Sequence, residues 1–361
     1  MITWRAGTVL SQRRAWAGAQ EYDVQLAAEG PQPGVVVTAL AYPDLVGAAD
    51  PGDRVLLNTS ALSLGLGTGG YALVVAFPDR LPLDPVGPGH LVKARYTPLQ
   101  TTVLGVDEQD SEHHARLRDA DSLAGLPVVV ADLHSALPAV VAGIREGRPQ
   151  ARVVYVATDG GALPLAFSRT VAALRDAEWL TGTVTVGQAF GGDLEAVTVH
   201  NGLLAAALVL QADVIVVTQG PGNLGTDTRW GFSGVAAGEV INAVAALDGR
   251  PVASLRVSQA DPRERHRGIS HHSLTAYGRV ALAAADVVVP ELAEPWGSTV
   301  RAQAELLGGR HRLVSQRLDG LDAALRACPV PLSTMGRGYD EDPASFLATA
   351  AAGRHAADLI R

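Results

Sequence analysis

The stretch DPRERHRGISHHSLTAYGR, residues 261–279, sets Arg263, Arg265, His266, Arg267, His271 and His272 beside Asp261. An imidazole titrates near neutrality, so it can move protons or ligate a metal ion. A guanidinium grips phosphate or carboxylate through two parallel N–H groups. Ser270 stands where it can cap a helix beginning at His271. His271 and Thr275 then share a face, Arg279 follows one turn on, and the first N–H groups of the helix are open to an anion. These residues point to acid–base work by His271 or His272, with Arg265 and His266 holding an anion. The spacing H-x4-H-H matches no standard zinc motif. The metal is therefore unassigned, and a divalent ion held with Asp261, Asp159 or Glu291 stays open. The plainer reading is a solvated, basic helix start around one buried histidine.

A second candidate is TQGPGNLGT, residues 218–226, where Gly220, Gly222 and Gly225 repeat the G-x-G-x-x-G spacing after the apolar run VIVV. The dinucleotide fingerprint needs a helix starting inside the motif and an acidic residue ending the next strand about 20 residues on. Here TDTRWGF intervenes before a convincing helix, Glu239 falls within that helix, and Pro221 removes an N–H. A nicotinamide or flavin site is disfavoured. Gly220, Gly222, Asn223 and Gly225 remain candidates for an anion-binding turn, against a purely structural turn. A third candidate, STMGRGYDEDP, residues 333–343, offers the hydroxyls of Ser333 and Thr334 and Arg337 between two glycines. Its Asp340, Glu341 and Asp342 read as a helix cap and acidic first turn. A fourth, YVATDGGALPLAFS, residues 155–168, puts Asp159 after a buried strand, a place for a catalytic carboxylate or metal ligand. Thr158 and Ser168 are poorer nucleophile candidates. There is no G-x-S-x-G elbow, and Lys93, the sole lysine, lies outside any phosphate-binding lysine loop.

The elements that must position these residues follow from periodicity. From residue 123, continuous apolar runs (PVVVADLH, RVVYVATD, GTVTVGQ, DVIVVTQG, PVASLRVS, DVVVPEL, HRLVSQ, VPLSTMG) alternate with alanine-rich helical stretches. That is the pattern of a parallel sheet covered on both faces. Their polar residues collect at the carboxyl ends: His134 and Ser135, Asp159, Gln188, Gln219, Ser258 and Gln259, Glu291, Thr334. Ligands bind beyond those ends in open α/β sheets. The expected fold is α/β: a small antiparallel, barrel-like β domain over 1–90, a charged connector over 91–122 with His113 and His114 exposed, and a doubly wound parallel α/β domain over 123–361. GLGTGG, 65–70, is expected as a hairpin loop. Ser233, Ser298 and Asp342 with Pro343 are expected helix starts.

Composition narrows the function. The chain has 361 residues, 47% hydrophobic and 18% charged, enough for two domains. A net charge of −8 argues against a broad nucleic-acid surface. Cys328 is the only cysteine, so no disulfide forms within the chain. The N-terminal residues lack a continuous apolar run, and the most apolar region, 202–217, is broken by Gln211 and Asp213. A cytoplasmic protein with no membrane span is expected, with homo-oligomerisation left open.

The segments GHLVKARYTPLQ, YVATDGGALPLAFS, TQGPGNLGT, RHRGISHHSLTAYGR and PLSTMGRGYDEDP resemble an uncharacterised bacterial family, classed as a domain of unknown function. The resemblance runs along most of the chain and supplies no activity or catalytic residue. The residues themselves favour an enzyme acting on a small anionic, phosphorylated or nucleotide-like molecule by hydrolysis or group transfer. In that reading Asp159 and Asp261 orient groups or bind a metal, and Arg265, Arg337 and the glycine loop hold the anion. The alternative is a non-catalytic metabolite-binding or regulatory protein whose β domain contacts a partner.

Overall fold

The computed structural model describes residues 2–28, 33–66 and 69–360; of the expected 65–70 loop, Gly67 and Thr68 lie outside the described residues. The chain divides into two compact units, residues 1–88 with 94–102, and residues 89–93 with 103–361.

In the first unit, β1 (Trp4–Trp16), β2 (Ala19–Leu26), β3 (Val36–Ala41), β4 (Arg54–Asn58) and β5 (Ala72–Ala76) close a barrel in the order β1-β2-β3-β5-β4. All pairs are antiparallel except β3–β5. Closure leaves no sheet edge unpaired. Alternate residues fill the interior, where Tyr22 and Phe77 meet edge to face at 5.7 Å.

The charged stretch before residue 122 is not a free-standing connector. Residues 103–122 belong to the second unit, Val106 and Leu117 are buried in its core, and a short helix forms at His114–Leu117. The Glu108 carboxylate accepts from the N–H groups of Leu91 (3.0 Å) and Gly105 (2.8 Å). His114 is half-buried, with Nδ1 2.8 Å from the Asp107 carbonyl.

The second unit is built on eight strands: β6 (Pro127–Val130), β7 (Val153–Thr158), β8 (Gly182–Val186), β9 (Leu194–Ala196), β10 (Val214–Gln219), β11 (Arg250–Ser254), β12 (Asp286–Pro290) and β13 (Arg312–Gln316). They form one sheet in the order β9-β8-β7-β10-β6-β11-β12-β13, and every pairing is parallel. Successive side chains alternate between two cores. Val128, Val130, Ile215 and Val217 pack under α3 (Val199–Leu208) and α4 (Ala237–Ala246). Val129, Val214 and Val216 pack under α1 (Leu137–Gly147) and α8 (Pro343–Asp358). α1 and α8 cross closely because each brings a glycine to the contact. A Cβ on Gly143 would sit 1.9 Å from the Ala350 carbonyl oxygen, and one on Gly353 2.0 Å from that of Val140.

The single lysine is a structural clamp. Lys93 is fully buried and donates to the carbonyls of Gly187 (3.0 Å), Ala189 (2.8 Å) and Ala196 (3.2 Å), with Glu195 Oε2 at 3.2 Å. It thereby ties the ends of β8 and β9 together.

Two expected helix starts are displaced. Ser298 lies inside α6 (Trp296–Ala304), which begins after Pro295, and its hydroxyl reaches back to the Pro295 carbonyl (3.1 Å). Ser233 opens a 3-10 turn before α4 without capping it; its hydroxyl donates to Asn223 Oδ1 (3.1 Å) and accepts from Leu224 N–H (3.1 Å). Asp342 does precede Pro343 at the start of α8, but its carboxylate turns away from the helix to other partners.

At the amino end of the sheet, Asp286 accepts from Arg312 Nε (2.6 Å), His355 Nε2 (2.9 Å) and Arg250 Nε (3.3 Å). Burial alone would raise its pKa, but the hydrogen bonds from His355 and Arg312, with the Arg312 charge, hold it well below the usual carboxylate range. A depressed native pKa contributes stability that is present above the unfolded value of about 4 and lost as pH falls below it. Urea denaturation at pH 7 and pH 3 checks this. The wild type is expected to lose more stability on acidification than Asp286→Asn, which should already be weakened by about 3 kcal/mol at pH 7. Parallel acid profiles for the two proteins would rule the ion cluster out as an acid-sensitive element.

Candidate functional site

β6 and β11 are neighbours whose chains leave in opposite directions. After β6 the chain passes to α1 on one face; after β11 it passes to α5 (His271–Thr275) on the other. The carboxyl ends of such a pair open a crevice. Asp132 lies two residues beyond β6, and Arg256 two residues beyond β11. The Tyr277 hydroxyl closes the floor, shared between the carbonyls of Val130 (2.9 Å) and Ser254 (3.1 Å). Between the strand ends is a cavity of about 20 Å³ walled by Asp132, Ser135, Arg256, Thr334 and Phe346, with room for one water molecule.

Asp132 is 4% exposed, and its Oδ2 lies 3.8 Å from both Arg256 Nη1 and His272 Nδ1, beyond hydrogen-bond reach. Burial pushes its carboxyl pKa up, against the Arg256 charge. Arg256 Nη1 donates to His272 Nδ1 (3.1 Å). His272 stacks flat on Phe232, ring centres 3.8 Å apart. His271 and His266 complete a three-ring cluster: centroids are 4.4 Å apart for His271–His272, 4.9 Å for His266–His271 and 5.0 Å for His266–His272. His266 Nδ1 is 2.8 Å from Ser270 Oγ, and that oxygen also caps α5 by accepting from His272 N–H (3.2 Å), as the sequence predicts. Burial first, then the Arg256 charge, pushes His266 and His272 down to about 3. His271 is lowered by burial, then by Arg265 and Arg256. All three rings are therefore neutral at pH 7, each with one nitrogen lone pair.

Four buried side-chain atoms among the described residues have no hydrogen-bond partner, and three of them sit at the carboxyl rim: Asp132 Oδ2, Gln219 Oε1 and His271 Nε2. Gln219 Nε2 donates to the Asp132 carbonyl (3.0 Å) and to Asn223 Oδ1 (2.9 Å), which places Asn223 beside the crevice. Unpaired buried polar atoms are rare and mark function or strain.

Beside the cluster an open cleft of about 600 Å³ is lined by Arg229, His271, Leu274, Thr275, Arg279 and Leu307. The predicted helix face is thus its wall, continued by a π turn at Ala276–Val280. Arg229 and Arg279 are exposed, and neither has an ion-pair or hydrogen-bond partner among the described residues.

Other expected anion holders are engaged elsewhere. Arg265 pairs with Asp227. Arg337 bridges Asp261 (3.2 Å) and Asp342 (3.2 Å). Asp261 also takes a two-point contact from Arg263 (2.9 and 2.9 Å), and these bonds hold it well below the usual carboxylate range. It is a fixed anion beside His266. Thr334 Oγ1 meets Ser135 Oγ (3.0 Å) at the cavity, while Ser333 is exposed. Asp159 follows β7 and accepts from Gln188 N–H (2.9 Å); β10 lies between β7 and β6, which sets them about 10 Å apart at normal strand spacing.

The glycine loop is a packing turn. A Cβ on Gly161 would lie 2.2 Å from the Gly220 carbonyl oxygen, and one on Gly220 2.5 Å from that of Ala162. The Ala162 N–H donates to the Pro221 carbonyl (2.7 Å), and the Gly220 N–H to that of Thr158 (3.3 Å). Gly222 and Gly225 are exposed, and the following helix begins only at Ala237. The sequence missed Asp132, Arg256, Phe232 and Arg229. Asp132 and Arg256, each two residues past a strand end, carried a readable signal.

Asp342 is fully buried, held by Ser258 Oγ (2.5 Å), Gln259 N–H (3.0 Å) and Arg337. Arg337→Met removes a shared cation from two buried carboxylates and should cost about 3 kcal/mol in urea denaturation. A change within 0.5 kcal/mol of wild type, roughly that of an ordinary surface substitution, would contradict this structural role.

Among the described residues, no helix is long and apolar enough to cross a membrane. No curated protein and no solved structure matches the chain. The model of a family described as "Protein of unknown function (DUF3866)" matches residues 38–353, a span that holds every segment of the carboxyl rim, and the chain belongs to that family.

Proposed function

We propose that this chain is an enzyme acting on a small organic anion, phosphorylated or nucleotide-like, by hydrolysis or group transfer at the carboxyl rim of its parallel sheet. The observation that carries the reading is that two uncommitted arginines, Arg229 and Arg279, line one cleft together with His271. Most other arginines at the rim are neutralised by a carboxylate, so these two are the cations available to a ligand. Leu274 and Leu307 supply an apolar wall for the uncharged part of the molecule. The neutral imidazoles activate the attacking water or hydroxyl, and the arginines neutralise charge gathering on the transferred group. Asp132, Arg256 and Phe232 position His272 without reaching the cleft.

Phosphate release from a panel of phosphate monoesters, diesters and nucleotides tests this. His271→Ala is expected to lower kcat/KM at least about 100-fold with the thermal unfolding of wild type. Arg279→Met should raise KM more than it lowers kcat. If no panel member turns over and one of them binds His271→Ala as tightly as wild type, the chain is a binding protein and the enzymatic reading falls.

A further inference from the structure

The three-histidine cluster is more than a set of packed rings. One ring nitrogen from each of His266, His271 and His272 lies within 4.8 Å of the other two. The rings are tilted, 56° to 90° between planes, so their edges converge rather than stack. Four-coordinate zinc with imidazole ligands at about 2.0–2.1 Å needs donor atoms about 3.4 Å apart, so the rings must turn to bring three nitrogens closer than the 4.8 Å that now bounds them.

The hydrogen bonds sort the nitrogens. Nδ1 of His266 is held by Ser270, and Nδ1 of His272 faces Arg256 and Asp132. Their Nε2 atoms are the ones available, alongside the unpartnered Nε2 of His271. Metal-bound histidines typically donate their other ring N–H to a carboxylate or similar acceptor. Ser270 Oγ fits that place for His266. His272 Nδ1 accepts from Arg256 in the metal-free protein, so ligation through its Nε2 requires the other tautomer, with the Nδ1–H turned from Arg256 to the unpaired Asp132 Oδ2 3.8 Å away. The neighbouring cations do not bar a metal, because Arg256 faces Asp132, Arg263 and Arg337 face Asp261, and Arg265 faces Asp227.

We propose that His266, His271 and His272 form a divalent-metal site of zinc type, with Asp132 and Ser270 as the outer groups that orient the ligands and a fourth position open to water. The site extends the proposed function by naming how the imidazoles would activate water, but its existence is read without any substrate.

The test uses the full chain stripped of metal with a chelator and titrated with Co2+, then Zn2+ in competition. One equivalent of Co2+ should give the visible absorption of a four-coordinate ion, displaced by Zn2+. His271→Ala and the size-conserving His271→Gln should each lose that spectrum while retaining the far-ultraviolet circular dichroism of wild type. Asp132→Asn should weaken Zn2+ binding by about 10–100-fold. His200→Ala, at an exposed site, should bind as wild type. No stoichiometric Co2+ binding, or an unchanged spectrum in both His271 variants, would overturn the metal site. The two readings fail separately: turnover without stoichiometric Co2+ binding removes the metal and leaves the enzyme, whereas a bound metal with no turnover on the panel does the reverse.

Discussion

A carboxylate taken out of water between two strand ends must be neutralised or paired, and the carboxyl rim is arranged around that cost. Asp132 is buried two residues past β6, with one oxygen unpaired. Burial favours its protonated form and Arg256 favours the ion, so the group is poised to accept a proton or a hydrogen bond. Everything near it answers to this. Arg256 is brought two residues past the adjacent strand, Gln219 is tied to the Asp132 backbone, and His272 is pinned flat on Phe232 with one nitrogen toward the carboxylate. The all-parallel sheet makes this meeting possible, because it delivers the carboxyl ends of β6, β10 and β11 to one rim.

Charge is then rationed across the rim. Asp261, Asp342 and Asp227 absorb Arg263, Arg337 and Arg265, which converts a strongly basic sequence segment into a nearly neutral one. Burial, helped by the nearby Arg256 charge, lets three imidazoles crowd together without protonating. The ion pairing leaves Arg229 and Arg279 as the cations that a ligand in the cleft would meet. The Lys93 clamp and the glycine contacts between residues 161 and 220 give this rim a rigid frame at the ends of β7 to β10.

Much of the architecture was legible in the sequence, because both signals are local. Apolar runs such as DVIVVTQG and alanine-rich helices announce a two-sided parallel sheet, and short strands broken by Pro and Gly announce the barrel. The closeness of His266, His271 and His272 was legible too, since they share one short segment capped by Ser270. The division of labour among arginines was not. Whether Arg265 or Arg279 is free depends on where Asp227 folds, and sequence spacing does not record that. Asp159 drew attention ahead of Asp132 because its turn is richer in glycine. Strand order decides otherwise: β10 enters between β7 and β6 after 55 intervening residues, moving Asp159 away from the histidines. The segment 91–122 reads as a charged connector because its charges dominate, although Val106 and Leu117 are enough to anchor its later part.

The most direct measurement of the central claim is nitrogen-detected NMR of the histidine rings in the metal-free protein as inorganic phosphate is added. The ring nitrogens of His271 should shift in a saturable way. Those of His134, bonded to Tyr155 and Ser168, and of buried His355 should stay fixed, and the response should vanish when Arg229 and Arg279 are both changed to Met. Shifts confined to His90 and His200 on the surface, or none at all, would show that the cleft beside His271 is not where this protein meets an anion.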